Sequence, residues 1–370
     1  ERIIIHHSIH LKITAMKKTL FMLAAASLAM TACTNTEEVE QGFARTSKQI
    51  GFVSHVNKNT RALINDNFNQ FSVFGSYTTQ TDVTPIQVFN GTVVKKGTDN
   101  NWSYTDGARY WIENANYNFY AYSKGNGTTE NVRLDLATGK FSLVNYVVNN
   151  DNQKDLVFAS AIATGKREKN EKVAFDFKHI LSKIQFNFIS DFPKGYTLTV
   201  DQVELKNMRD RGDFELSGDE FQWRNVVRTT GEEEVAENNM TQINIFFKTA
   251  AISGALGDSG KEDETPVLSE ATADIYVLPY VYEKSNVRIY FRVTIKNANG
   301  IQVSQKRNFG AFTPTWLKGT AYKYNVKLTG AEAGLEKIEF TTATDMNLDG
   351  WEQGNDTDLN FGTDINQSDK

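Results

Sequence analysis

The chain has 370 residues, with 40 Lys and Arg against 45 Asp and Glu, a formal net charge of −5, and a single cysteine. The mild acidity leaves no basic footprint for nucleic acid, and one thiol excludes both a disulfide framework and a thiolate zinc centre. A fold of this size without cross-links is held by hydrophobic cores, and the length suggests two domains of ordinary size.

Residues 1–15 precede a plausible start at Met16 and read as an upstream artefact, outside the fold. Residues 16–32 have the layout of a secretory signal: Lys17 and Lys18, an apolar run from Leu20 to Met30, then the small residues Thr31 and Ala32. The apolar run falls well short of the ~20 residues that cross a bilayer, so it is expected to be removed rather than retained. Met30-Thr-Ala-Cys33 resembles a bacterial lipobox, in which cleavage falls before the cysteine and the thiol is acylated. Cys33 is therefore the expected lipidation site, and no later apolar stretch is long enough to span a membrane. Residues 33–48 follow as a polar tether, acidic at Glu37, Glu38 and Glu40.

From residue 49 the pattern has period two, the signature of strands with one buried face. Gln49 to Val56 reads as a first strand, and Asn57 to Ala62 as an exposed polar loop containing Arg61. Phe71, Val73 and Tyr77 share a face, and Tyr117, Phe119 and Ala121 alternate in the same way. So do Val173, Phe175 and Phe177, then Ile184, Phe186 and Phe188. Leu198 goes with Val200, and Val203 with Leu205. The last two runs are Ile289 to Ile295 and Tyr322 to Leu328. Clusters at Asn90-Gly91, Gly97 to Asn101, Lys124 to Gly127 and Asn297 to Gly300 read as turns. Only Arg109 to Asn116 and Phe177 to Ser182 have room for a turn or two of helix. The charged loop Gly165 to Lys172 marks a domain boundary, giving domains 49–168 and 169–370. The polar stretches Thr229 to Asn239 and Gly254 to Glu264 read as solvated hairpin tips. The expected fold class is all-β, with antiparallel β-sandwiches.

These segments resemble the Mfa-like branch of the fimbrillin family of Bacteroidetes pilins. The resemblance rests on Ile50-Gly-Phe52, Thr60-Arg-Ala62, Phe71 to Gly75, Trp102-Ser-Tyr104, Tyr110-Trp111 and Tyr117 to Tyr122. It continues through Asp155 to Ser160, Phe177 to Ile184, Val277-Leu-Pro279, Trp316 to Gly319 and Tyr322-Lys-Tyr324. It implies two tandem transthyretin-like sandwich domains, export as an outer-membrane lipoprotein, and assembly into a fimbria on the cell surface. It also implies an arginine-specific protease that cuts after the first strand, and a C-terminal strand from another subunit that fills the slot left behind. On this sequence the cut falls between Arg61 and Ala62, which would free the lipid and the first strand together. Arg45 is a second candidate, and cutting there would open no groove. The acidic tether resembles the signal that sends some such lipoproteins to the outer face of the outer membrane. Donor candidates are Leu335 to Thr342, with Ile338 and Phe340, and Asp358 to Ile365, with Leu359 and Phe361. Alternatives are a tip or anchor subunit, or a surface adhesin that binds a host glycan or protein.

Chemistry is sparse. Asp345 to Asp356 has the oxygen spacing of a calcium loop, but its last position is Asp rather than Glu and a strand precedes it, so a plain turn is the better reading. His55 and His179 are isolated, and no phosphate loop or zinc motif occurs. Trp102, Tyr104, Trp111, Tyr120 and Tyr122 are read as core rather than as a sugar-stacking face. No enzyme activity, cofactor or metal is expected. Cys33→Ser is expected to abolish incorporation of labelled fatty acid into the exported chain; undiminished labelling would remove the lipobox reading.

Overall fold

The computed structural model describes residues 49–55, 68–124, 131–165, 171–190, 196–217, 220–231, 240, 242–244, 251–253, 268–283, 287–329, 337–342 and 351–354. Residues 50–166 and 171–370 fall in one unit of mutual contact. None of the described helices is long and apolar enough to cross a membrane.

In chain order the first strands are β1 (Phe52–His55), β2 (Gln70–Thr78), β3 (Ile86–Lys96), β4 (Trp102–Ser103), β5 (Asn116–Ser123), β6 (Val132–Asp135), β7 (Lys140–Val147) and β8 (Val157–Thr164). Then come β9 (Val173–Asp176), β10 (Lys178–His179), β11 (Ser182–Ser190), β12 (Thr197–Lys206), β13 (Arg211–Ser217) and β14 (Glu220–Val227). The chain continues through β15 (Gln242–Asn244), β16 (Ala251–Ser253), β17 (Leu268–Ala271), β18 (Ile275–Val277) and β19 (Tyr280–Val281). It closes with β20 (Val287–Lys296), β21 (Gln302–Phe312), β22 (Thr315–Trp316), β23 (Thr320–Thr329), β24 (Lys337–Thr342) and β25 (Glu352–Gln353). The expected all-β class is what the chain adopts. The two segments with room for helix contain none: Lys178 and His179 pair with β8, and residues 109–116 lead into β5 through turns. Among the described residues away from strands, Asn150–Asn152 forms a single 3-10 turn, capped by the Asn149 side chain.

One antiparallel sheet runs β10-β8-β5-β2-β3-β4. Alternation divides its side chains between two cores. Phe71, Val73, Phe89, Tyr117, Phe119 and Ala121 face a first core together with Ile50, Phe52, Val173 and Phe175. Phe74, Tyr120, Tyr122 and Phe158 point the other way, against Phe141, Phe214 and Phe221 on and beside the sheet β14-β13-β7-β6. That second core extends into a sandwich in which β11 and β23 oppose β12 and β20. Phe188 meets Phe291 edge-on there, at 5.1 Å between ring centroids. Hydrogen-bonded ladders join strands on either side of residue 168: β9 to β1, β10 to β8 and β13 to β7.

Three pairs depart from the antiparallel expectation. β1 lies parallel to β9, β11 parallel to β23, and β25 parallel to β23. Each joins segments separated by long crossovers, which parallel pairing requires. The Asn90-Gly91 turn is also corrected. Thr92 opposes Val73 and Asn90 opposes Phe74, which leaves Gly91, at φ +75°, as a bulge inside one continuous strand. A glycine in the left-handed region suits a hairpin turn and a bulge equally well. In β12 the extra residue near Gln202 (φ +51°) shifts the phase, so Leu198 and Val200 before it and Val203 and Leu205 after it all face the core. The turn at Asn297 to Gly300 is as expected, closed by Asn297 and Ile301 at 2.9 Å.

Gly165, assigned above to a linker, is instead packed against backbone. Its N–H donates to the Ala115 carbonyl at 2.7 Å, and a Cβ placed there would lie 1.6 Å from the Ile112 carbonyl oxygen. Gly165→Ala is expected to destabilise the protein by about 1–3 kcal/mol, seen as a lower urea midpoint at unchanged slope. An unchanged midpoint would contradict this packing.

Candidate functional site: the seat of the first strand

The segment from Ile50 to His55 crosses the inner face of the first core, with a strap of chain on one side of its start and a single paired strand on the other. Among the described strands, β1 pairs with β9 alone, in the parallel register Phe52–Val173 to His55–Asp176. Ile50 and Phe52 are buried, with 0% and 1% of their surface exposed. The Phe52 ring touches five other aromatics: Phe89 at 5.2 Å, Phe175 at 5.7 Å, Tyr104 at 5.9 Å, Phe119 at 6.0 Å and Phe71 at 6.3 Å. Burying one such ring contributes about 1.5–3 kcal/mol, and edge-on contacts add to it.

A strap of chain between β4 and β5 holds the start of this segment through main-chain atoms. The Ile50 N–H donates to the Arg109 carbonyl at 2.8 Å. The Tyr104 hydroxyl donates to the Ile50 carbonyl at 2.8 Å and accepts from the Arg109 N–H at 3.4 Å. Arg109 shapes the strap: its Nε donates to the Val88 carbonyl at 3.2 Å, and its Nη1 to the carbonyls of Asp106 at 2.7 Å and Gly107 at 2.9 Å. Asp106 in turn accepts from the Thr92 hydroxyl at 2.9 Å. On the far side, the Val173 N–H donates to the Gly51 carbonyl at 2.8 Å. Deeper in the same core, burial pushes the Tyr117 phenol up to about 12. Its oxygen accepts from the Ile112 N–H at 2.8 Å.

Cys33, Arg45, Arg61 and Ala62 lie outside the described residues, as do the donor candidate 358–365 and the start of the Asp345 loop. The end of that loop is extended: Glu352 and Gln353 run along Thr320 and Ala321. Of the aromatics weighed for sugar stacking, Trp111, Tyr120 and Tyr122 are buried, and Trp102 and Tyr104 are half-buried against the first core. His179 is buried, with Nδ1 2.8 Å from an Asp155 carboxylate oxygen and its ring stacked 4.0 Å from that of Trp351. His179 Nε2 and Asp155 Oδ1 find no partner among the described residues. The pair secures the C-terminal segment to the sandwich. The strap and this pair escaped the sequence reading, because each joins residues far apart in the chain with no local pattern to mark them.

Phe52→Ala is expected to cost about 3–5 kcal/mol in the intact chain, measured by chemical denaturation. A loss under about 1 kcal/mol would mean that the ring does not anchor the strand.

The sequence matches the family profile described as fimbrillin-like over residues 58–344. No curated protein matches it. Among solved structures, a fimbrial protein from Bacteroides vulgatus ATCC 8482 is similar in fold, with a TM-score of 0.52 at 15% identity over 80% of this chain and 98% of that one. A proposed cell adhesion protein from Bacteroides ovatus ATCC 8483 gives 0.45 at 15% identity, over 81% of this chain and 97% of the other. The family match supports a fimbrial role at the cell surface. Because it spans most of the sequence, the chain belongs to the fimbrillin-like family.

Proposed function

We propose that the protein is a non-enzymatic structural subunit of a surface fimbria that polymerises by exchanging strands. The chain is exported as a lipoprotein, acylated at Cys33 and held at the outer membrane. An arginine-specific protease then cuts between Arg61 and Ala62. The released piece carries away lipid, tether and β1, and a segment of another subunit takes the vacated place.

The way β1 is held carries this reading. Among the described strands β1 pairs with β9 alone and belongs to no larger sheet, so its departure would break one ladder and the strap's bonds to Ile50 but no pairing within the sheet β10-β8-β5-β2-β3-β4. Its departure also uncovers the aromatic floor beneath Phe52 and an unpaired edge on β9. Open edges and apolar slots are templates for an added strand. The buried aromatics give no support to a sugar-stacking adhesin.

N-terminal sequencing of assembled surface material tests the proposal. A new terminus at Ala62, lost together with polymerisation in Arg61→Ala, is the expected result. Fibres whose subunits still begin at Cys33 would overturn it.

A further inference from the structure

We propose that β9 has a second seat: once β1 has left, β9 closes onto the open edge of β8 and shuts the vacated slot until an incoming strand draws it back. The inference rests on the strand-exchange reading above and concerns how the empty slot is guarded.

From β8 to β10 the chain forms an antiparallel hairpin that is paired only at the end far from its loop. Lys178 stands opposite Phe158 and His179 opposite Val157, and the Ile180 N–H donates to the Leu156 carbonyl at 3.1 Å. Beyond Phe158 no described strand pairs with this side of β8. Bonding sides alternate along a strand, so Ser160, Ile162 and Thr164 turn their N–H and C=O groups to the open side. The residues between them bond toward β5, as Gly165 does to Ala115. β9 has left the hairpin to pair with β1. The Val173 N–H donates to the Gly51 carbonyl, so Val173 and Phe175 bond toward β1, and Ala174 and Asp176 turn their main-chain groups away from it.

Extending the β8–β10 register along the chain places Asp176 opposite Ser160, Ala174 opposite Ile162 and Lys172 opposite Thr164. The faces agree in that register. Phe177, Phe175 and Val173 come opposite Ala159, Ala161 and Ala163, large against small, and all six already line the first core. On the outer face Ile162, 80% exposed in the intact chain, gains Ala174 as a cross-strand neighbour, and no like charges meet. While β1 is present, its ladder and the stacking of Phe52 on Phe175 at 5.7 Å hold β9 away from β8. Without β1 both restraints vanish. An incoming strand must then reopen the hairpin, and its apparent affinity falls with the fraction of open slots.

The test uses the full chain carrying Cys33→Ser, Ile162→Cys and Ala174→Cys, before and after cleavage at Arg61 and removal of the first strand. Residues opposed in a hydrogen-bonded pair have Cα atoms about 5.5 Å apart, within the reach of a disulfide. Oxidised glutathione is expected to link the two cysteines about tenfold faster in the stripped chain than in the intact one. Ser160→Cys with Asp176→Cys, the next rung, is expected to behave alike. The linked chain is expected to bind a peptide of residues 47–61 about tenfold more weakly than the reduced chain. In residue-resolved hydrogen exchange the amides of Ala174 and Asp176 gain protection on stripping, while those of Val173 and Phe175, which β1 shielded, lose it. If neither cysteine pair links faster after stripping, or if linkage leaves peptide binding unchanged, the inference is overturned and strand exchange stands. If the cleaved chain never releases its first strand, or the reduced stripped chain takes up no peptide, the strand-exchange reading falls with it.

Discussion

The insertion of the Phe52 ring among Phe71, Phe89, Tyr104, Phe119 and Phe175 closes the first core of this protein. Those rings come from three different parts of the chain: the sheet strands β2, β3 and β5, the strap after β4, and β9. Without the plug, each would present apolar surface to water. With it, they form a continuous interior that also includes Ile50, Val173 and Phe177. The plug nevertheless belongs to a four-residue strand that pairs, among the described strands, with β9 alone. Side-chain burial holds it in place together with one ladder and the strap. Under the proposed function, such a segment would be stable while covalently attached and exchangeable once a competitor offered an equivalent ring.

The second core forms a separate cluster that does not include the plug. The opposite face of the same sheet is covered by β7, β13 and β14, and the sandwich beyond has its own interior, built on Phe186, Phe188, Phe291 and Tyr324. The C-terminal segment is fixed there by Trp351 on His179 and by two backbone bonds, Glu352 to Gly319 and Gly354 to Ala321, each 2.9 Å. One face of the sheet is thus covered by β1 and β9, while the other packs against β7, β13 and β14.

Much of this was legible in the sequence wherever the determinant is local. Period-two alternation identified the buried faces of β2, β5, β9, β11, β20 and β23, because a strand's side chains obey their own pleat whatever it pairs with. Leu198 with Val200 and Val203 with Leu205 were legible as two pairs, and the register adds the bulge that turns both pairs to the core. Gly91 signalled a left-handed backbone without saying whether the chain reverses there. Pairing partners were out of reach, since β1 with β9 and β11 with β23 are brought together by the whole topology. The Tyr104–Arg109 strap was hidden for the same reason: it recognises backbone atoms, and those carry no sequence signature.

The central claim is that β1 is separable from a fold that survives its loss. Hydrogen exchange, read by mass spectrometry on the chain cleaved at Arg61 and stripped of its first strand, tests it most directly. The account predicts that amides of β2, β5, β8, β12, β20 and β23 keep their protection while those of β9 lose theirs. Loss of protection throughout the sheet β10-β8-β5-β2-β3-β4 would show that β1 is an integral part of the core, and would contradict it.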